Sequence, residues 1–138
     1  GIGSNWEKVG DEWKLLYGDD EINQLNPDLK GTYIEHVLSN LPFTPIRSRL
    51  MRMPPKRCYS IHRDTSSRWH LALKTDDQAR FIFTEDQHVI HIPADGCAYY
   101  LNTRREHTAI NGGNDDRIHL VMLDTRDIDH AALQKYMV

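Results

Sequence analysis

From Pro45 to Asp124 the chain alternates short apolar runs with clusters of turn-forming residues, and this pattern predicts strands. The runs are Ile46–Met53, Arg57–His62, Trp69–Lys74, Arg80–Thr84, His88–Ile92, Ala98–Asn102, His107–Ile110 and Arg117–Asp124. Pro54-Pro55, Thr75-Asp76-Asp77, Glu85-Asp86-Gln87, Ala94-Asp95-Gly96 and Asn111-Gly112-Gly113-Asn114-Asp115 separate most of them. Such residues favour turns because proline lacks a donor, glycine accepts positive φ, and Asn or Asp side chains bond their own backbone. Helical periodicity is confined to the flanks. Ile34, Val37, Leu38 and Leu41 share one face of a helix predicted over Thr32 to Leu41, which Pro42 ends. Trp6, Val9, Trp13 and Leu16 also fall at helical spacing, although Gly10 interrupts it, and Leu25-Asn26-Pro27-Asp28 reads as a turn. A last short helix is predicted from Asp129 to Tyr136.

Many short strands at near-regular spacing, with helices only at the ends, predict a mainly β fold. The architecture expected is a double-stranded β-helix (a jelly roll, cupin-like) with N-terminal helices and a short C-terminal helix. It would form one domain over residues 1–138, with its core at about 46–124. Composition adds little to that picture and excludes some functions. Hydrophobic residues make up 39% and charged residues 27% of the 138, which is ordinary for a globular domain. The formal net charge is -3 with both signs interspersed, so no basic face for nucleic acid is predicted. No apolar run is long enough to span a bilayer. Gly1 to Trp6 lacks the basic-then-apolar pattern of a secretory signal. The two cysteines, Cys58 and Cys97, make no disulfide framework, and the expected location is the reducing cytoplasm.

The chemistry-bearing residues cluster on the predicted strands. In His62-Arg63-Asp64, residues i and i+2 project to one side of a strand, so an imidazole and a carboxylate point together. A third ligand from a distant strand would complete a facial triad of two histidines and one carboxylate. Such a triad leaves three adjacent positions open on iron(II). His107 is the choice here, because it opens a short strand before the glycine-rich turn and falls near a jelly-roll mouth; His91 and His119 are the alternatives. Arg117 follows ten residues later, at the head of an apolar strand. A buried guanidinium needs an anion. Two readings remain open at this point: a ligand carboxylate, or Asp115 and Asp116 in the adjoining turn. Arg68 and His70 form another i, i+2 pair, suited to anion binding or to a cross-strand salt bridge and a core-edge histidine. Tyr59, Trp69, Tyr99 and Tyr100 are the aromatic residues available to line a pocket, and Asn102 is a candidate to orient a ligand.

At these residues the chain resembles the aspartyl/asparaginyl β-hydroxylase family of 2-oxoglutarate-dependent oxygenases. The matching text is Arg57-Cys58-Tyr59-Ser60-Ile61-His62-Arg63-Asp64, Arg68-Trp69-His70-Leu71-Ala72-Leu73, Gly96 to Thr103, His107-Thr108-Ala109-Ile110-Asn111 and Arg117-Ile118-His119-Leu120-Val121. The resemblance covers Ile46 to Asp124, and its specificity lies in the ordered combination. It implies a jelly roll, iron(II), 2-oxoglutarate and O₂, and hydroxylation of an unactivated C–H bond. By the resemblance His62, Asp64 and His107 are metal ligands and Arg117 holds the distal carboxylate of the co-substrate. Arg68 and His70 match its additional co-substrate contacts. Some members replace the acidic ligand by water, whereas this chain has Asp64. Within residues 1–138 neither the repeat domain nor the membrane anchor of the large animal members is expected. A free amino acid or a short peptide therefore becomes a competitive expectation for the substrate. Two rival readings stand beside this one: a cupin-type metal enzyme that does not use 2-oxoglutarate, and a non-catalytic jelly-roll binding module.

Overall fold

A computed structural model describes residues 25–124, 126, 137 and 138 in full, and residues 6–9, 12–15 and 134–136 as backbone. Its body is a sandwich of two antiparallel sheets. The larger sheet contains β3 (Pro45–Met53), β5 (Arg68–Lys74), β8 (Cys97–Leu101), β10 (Arg117–Asp124) and β11 (Gln134–Met137), in the order β11-β8-β5-β10-β3. The smaller holds β4 (Arg57–Cys58), β6 (Ala79–Phe83), β7 (His88–Ile90) and β9 (His107–Asn111), in the order β4-β9-β6-β7. This is the expected jelly-roll class.

The apolar run of β10 is explained by its place. It pairs with both β3 and β5, and both of its faces are covered. Leu120 and Met122 face outward with Trp69, Leu71 and Tyr100, and α1 (Tyr33–Ser39) closes that face with Val37. Thr32 caps the helix by accepting a hydrogen bond from the Glu35 backbone, which satisfies one of the amides a helix start leaves free. On the opposite face Met53, Ala72 and Leu101 meet Phe81, Phe83 and Ala109 from the smaller sheet. The predicted strands from Ile46 to Asp124 are all present, with β4 and β7 shorter than the pattern suggested.

Both ends differ from expectation. Instead of a helix from Trp6 to Leu16, the chain forms a hairpin of β1 (Trp6–Val9) and β2 (Glu12–Leu15), with Val9 opposite Glu12. In the sequence a glycine-led pair, Gly10-Asp11, stands between these two strands, a hairpin signal that outweighs the coincidental helical spacing. At the other end, Gln134 to Met137 pairs with β8 as a strand, not as part of a helix. A sheet edge offers a row of unpaired amides and carbonyls, and strand addition satisfies them. The remainder of the predicted closing helix, from Asp129 to Leu133, lies outside the described residues.

One polar residue joins the sheets at the end of β9. Asn111 is 1% exposed. Its side-chain amide donates to the carbonyls of Met53 (3.0 Å) and Asp115 (2.8 Å), and its Oδ1 accepts from the Gly113 backbone (3.0 Å). Replacing Asn111 by alanine orphans these groups, and each buried one costs about 1–3 kcal/mol. The expected loss is roughly 2–4 kcal/mol in urea unfolding, with the denaturant slope unchanged. A variant within 0.5 kcal/mol of wild type would contradict this account.

Candidate metal centre and anion pocket

The site begins with a single backbone bridge. His62 lies just beyond β4 and pairs with His107 at the start of β9: the His62 amide donates to the His107 carbonyl (3.0 Å) and the His107 amide to the His62 carbonyl (2.9 Å). Directly opposed residues in an antiparallel pair project to the same face. The two rings accordingly lie with their centroids 4.5 Å apart. Two residues on, the Asp64 amide donates to the Thr103 carbonyl (2.8 Å), which holds the carboxylate beneath the rings. Asp64 Oδ1 is 3.4 Å from His62 Nε2, and Oδ2 is 3.8 Å from His107 Nε2. One potential ligand atom from each of the three residues falls within 4.8 Å of the other two.

The tautomers follow from local bonds. His62 Nδ1 is 2.6 Å from the Ser60 carbonyl, and His107 Nδ1 is 2.8 Å from the Arg105 carbonyl. A carbonyl can only accept, so each Nδ1 carries its hydrogen, which leaves Nε2 on the side of Asp64 as the nitrogen through which each ring could ligate a metal. A divalent cation placed among the two Nε2 atoms and the carboxylate would be within reach of all three. The donor set, two imidazole nitrogens and one carboxylate, suits a divalent first-row metal such as iron(II). Of the alternative ligands, His91 is committed at Nδ1 to the Ala79 carbonyl (2.7 Å), and His119 lies outside this trio.

All six residues singled out in the sequence border one cavity of about 330 Å³: His62, Asp64, His107, Arg68, His70 and Arg117. Arg117 is 2% exposed, and its Nε and Nη1 are buried without a hydrogen-bond partner. Its guanidinium lies over the Phe81 ring at 5.7 Å. Burial lowers its pKa, yet an arginine keeps its proton. The turn acids do not serve it: Asp116 pairs with Arg52 (2.7 Å) and Asp115 with Lys74 (2.8 Å). Arg68 Nε stands 3.5 Å from Asp64 Oδ2, an ion pair too long for a good hydrogen bond. Burial lowers the Arg68 pKa, Asp64 opposes that, and Arg49 and Arg47 add to it by repulsion. His70 is buried, and its Nδ1 lies 3.2 Å from His119 Nδ1.

Of the four aromatic candidates, Tyr59 borders the cavity. Trp69 and Tyr100 face outward against α1, since their strand neighbours His70 and Leu101 face inward. Tyr99 instead donates to Asp95 Oδ2 (2.6 Å). Asn102 accepts from the Ser67 hydroxyl (3.2 Å) and does not border the cavity. Sequence reasoning missed Arg49, which also lines the cavity; the alternation Arg49, Met51, Met53 on β3 was its signal.

Among the described residues no helix is long and apolar enough to cross a membrane. A comparison with curated proteins finds no match. The family model described as aspartyl/asparaginyl beta-hydroxylase matches residues 32–127, well over half of the chain and all of the segment that carries the site. On that match the chain belongs to the aspartyl/asparaginyl β-hydroxylase family of hydroxylases.

Proposed function

We propose that this chain is an iron(II)- and 2-oxoglutarate-dependent dioxygenase that hydroxylates an amino acid or a peptidyl residue. The observation that carries the reading is Arg117: a buried cation, with two N–H groups unpartnered, on the wall of the cavity that holds the His62, Asp64 and His107 trio. A dicarboxylate with one end at the metal and the other on Arg117 would satisfy both. With iron(II) and 2-oxoglutarate bound, the site would use O₂ to convert the co-substrate to succinate and carbon dioxide while one oxygen atom enters a substrate C–H bond.

The chain's own residues divide the remaining work. His62 and His107 would offer Nε2 to the metal and Asp64 its carboxylate, with the Ser60 and Arg105 carbonyls fixing both rings. Arg117 would hold the far carboxylate through its planar fork. Arg68 sits against Asp64, where it would steady that carboxylate and offer its remaining donors to an anionic ligand. Phe81 and Val121 supply apolar walls that limit water. A cupin-type enzyme without 2-oxoglutarate gives Arg117 no partner, and a binding module gives the converging Nε2 atoms no task.

Adding 2-oxoglutarate anaerobically to the iron(II)-loaded protein is expected to produce a weak visible charge-transfer band. In air, succinate should then form as 2-oxoglutarate is consumed. Iron binding with neither the band nor any 2-oxoglutarate affinity would defeat this reading in favour of the cupin-type enzyme. Absence of metal binding would favour the binding module.

A further inference from the structure

The inner face of β10 presents Arg117, His119 and Val121 in succession, and only the first and last border the cavity. His119 is 2% exposed, and its Nε2 is buried without a hydrogen-bond partner. Its other nitrogen meets His70, which does border the cavity. The register explains the contact: His119 lies opposite Ala72 and His70 opposite Val121, so the two rings are diagonal neighbours on one face.

Two Nδ1 atoms 3.2 Å apart require one hydrogen and one lone pair between them. If His70 were the donor, neutral His119 would carry its hydrogen on Nε2. That would be a buried N–H with no acceptor, set beside the positive charge of Arg117. If His119 is the donor, its Nε2 keeps the lone pair, which the field of Arg117 favours. Buried orphan N–H groups are also rarer than orphan acceptors. His70 Nε2 then carries a hydrogen. Burial first, then the neighbouring histidine or Arg117, disfavours a charged ring at either residue and lowers both pKa values, that of His119 to about 2.

We infer that His119 is a positioning residue. Its Nδ1–H donates to His70 Nδ1, which holds His70 in the Nε2–H tautomer and presents a neutral N–H donor to the ligand carboxylate in the cavity. The role assigned to His70 rests on the co-substrate reading above; the tautomer assignment does not.

The first test uses the whole apoprotein with ¹⁵N-labelled histidine near neutral pH. Long-range ¹⁵N–¹H correlations should show His119 protonated at Nδ1 and His70 at Nε2. The reverse pattern, or a mixture, overturns the inference. The second compares His119→Leu with His119→Asn, whose amide nitrogen branches from the same carbon position as the ring Nδ1. His119→Leu should raise the 2-oxoglutarate dissociation constant of the iron(II) protein about tenfold, the scale of one hydrogen bond. His119→Asn should recover most of that loss, and iron affinity should not move. Equal losses in both variants would reduce His119 to packing, and no loss in either would remove its role. Should His119→Leu fail to fold, the wild-type tautomers still decide. Wild-type protein that binds no 2-oxoglutarate would defeat the proposed function while leaving the tautomer pattern to be read.

Discussion

Replacing Asp64 by alanine is expected to remove most of the protein's affinity for iron(II) and, with it, turnover. The carboxylate is the one negative charge in the trio, and it stands within 3.4 and 3.8 Å of the two Nε2 atoms. Groups that merely orient metal ligands typically contribute 10–100-fold to affinity, so the loss of a ligand itself should exceed about 100-fold. A solvated aspartate with no such role would alter stability by no more than about 0.5 kcal/mol and leave the metal alone. Competition against a chelator gives the affinity. The melting temperature gives an independent reading, because a metal that binds only the folded state stabilises it by RT ln(1 + L/Kd), with L the free metal concentration, which rises with affinity. Wild-type protein should melt higher with iron(II), and the variant should not respond. The variant's apoprotein supplies its own baseline, since the substitution also breaks the Asp64–Arg68 pair, 3.5 Å at Arg68 Nε. Unchanged iron affinity would refute the assignment of Asp64.

The His62 and Asp64 pair of the candidate trio was legible in the sequence for a local reason, and its completion by His107 was not. His62-x-Asp64 declares itself through strand alternation. Both rings are also fixed locally, each Nδ1 bonding the carbonyl two residues earlier, at Ser60 and at Arg105. The pairing of His62 with His107 spans separate segments, and no spacing rule gives a bridge between them. His107 could be chosen only from its place before the glycine-rich turn. Arg117 illustrates the same limit: its strand was read with its true bounds, but its partner could not be. That choice depended on Arg52 and Lys74 reaching Asp116 and Asp115 first. The outward placement of Trp69 and Tyr100, by contrast, was available from alternation once His70 was taken as inward. The ends failed because short segments carry several periodicities at once. Trp6, Val9 and Trp13 fall at helical spacing, yet the segment pairs locally as a hairpin of two four-residue strands.

Arg117→Lys is expected to raise the 2-oxoglutarate dissociation constant by about ten- to a hundredfold while leaving iron(II) affinity in place. Lysine keeps the charge but lacks the planar fork that fits a carboxylate through two parallel N–H···O bonds. One charge-assisted hydrogen bond contributes roughly 1.5–3 kcal/mol, and each decade in affinity corresponds to about 1.4 kcal/mol. The same environment predicts an opposite effect on the ligand-free protein. Arg117 Nε and Nη1 are buried and unpartnered, so the folded apoprotein carries an uncompensated cation. Arg117→Met fills a similar volume without that charge, and replacing buried ionic groups by apolar ones is often neutral or stabilising by about 1–4 kcal/mol. It should therefore abolish measurable 2-oxoglutarate binding while leaving the apoprotein melting temperature unchanged or higher. A structural salt bridge at the Asn111–Asp116 turn would give the reverse: intact 2-oxoglutarate affinity and a lower melting temperature in both variants. Measuring the dissociation constant and the melting temperature on the same preparations separates the two, and the reverse pattern would remove Arg117 from the co-substrate site.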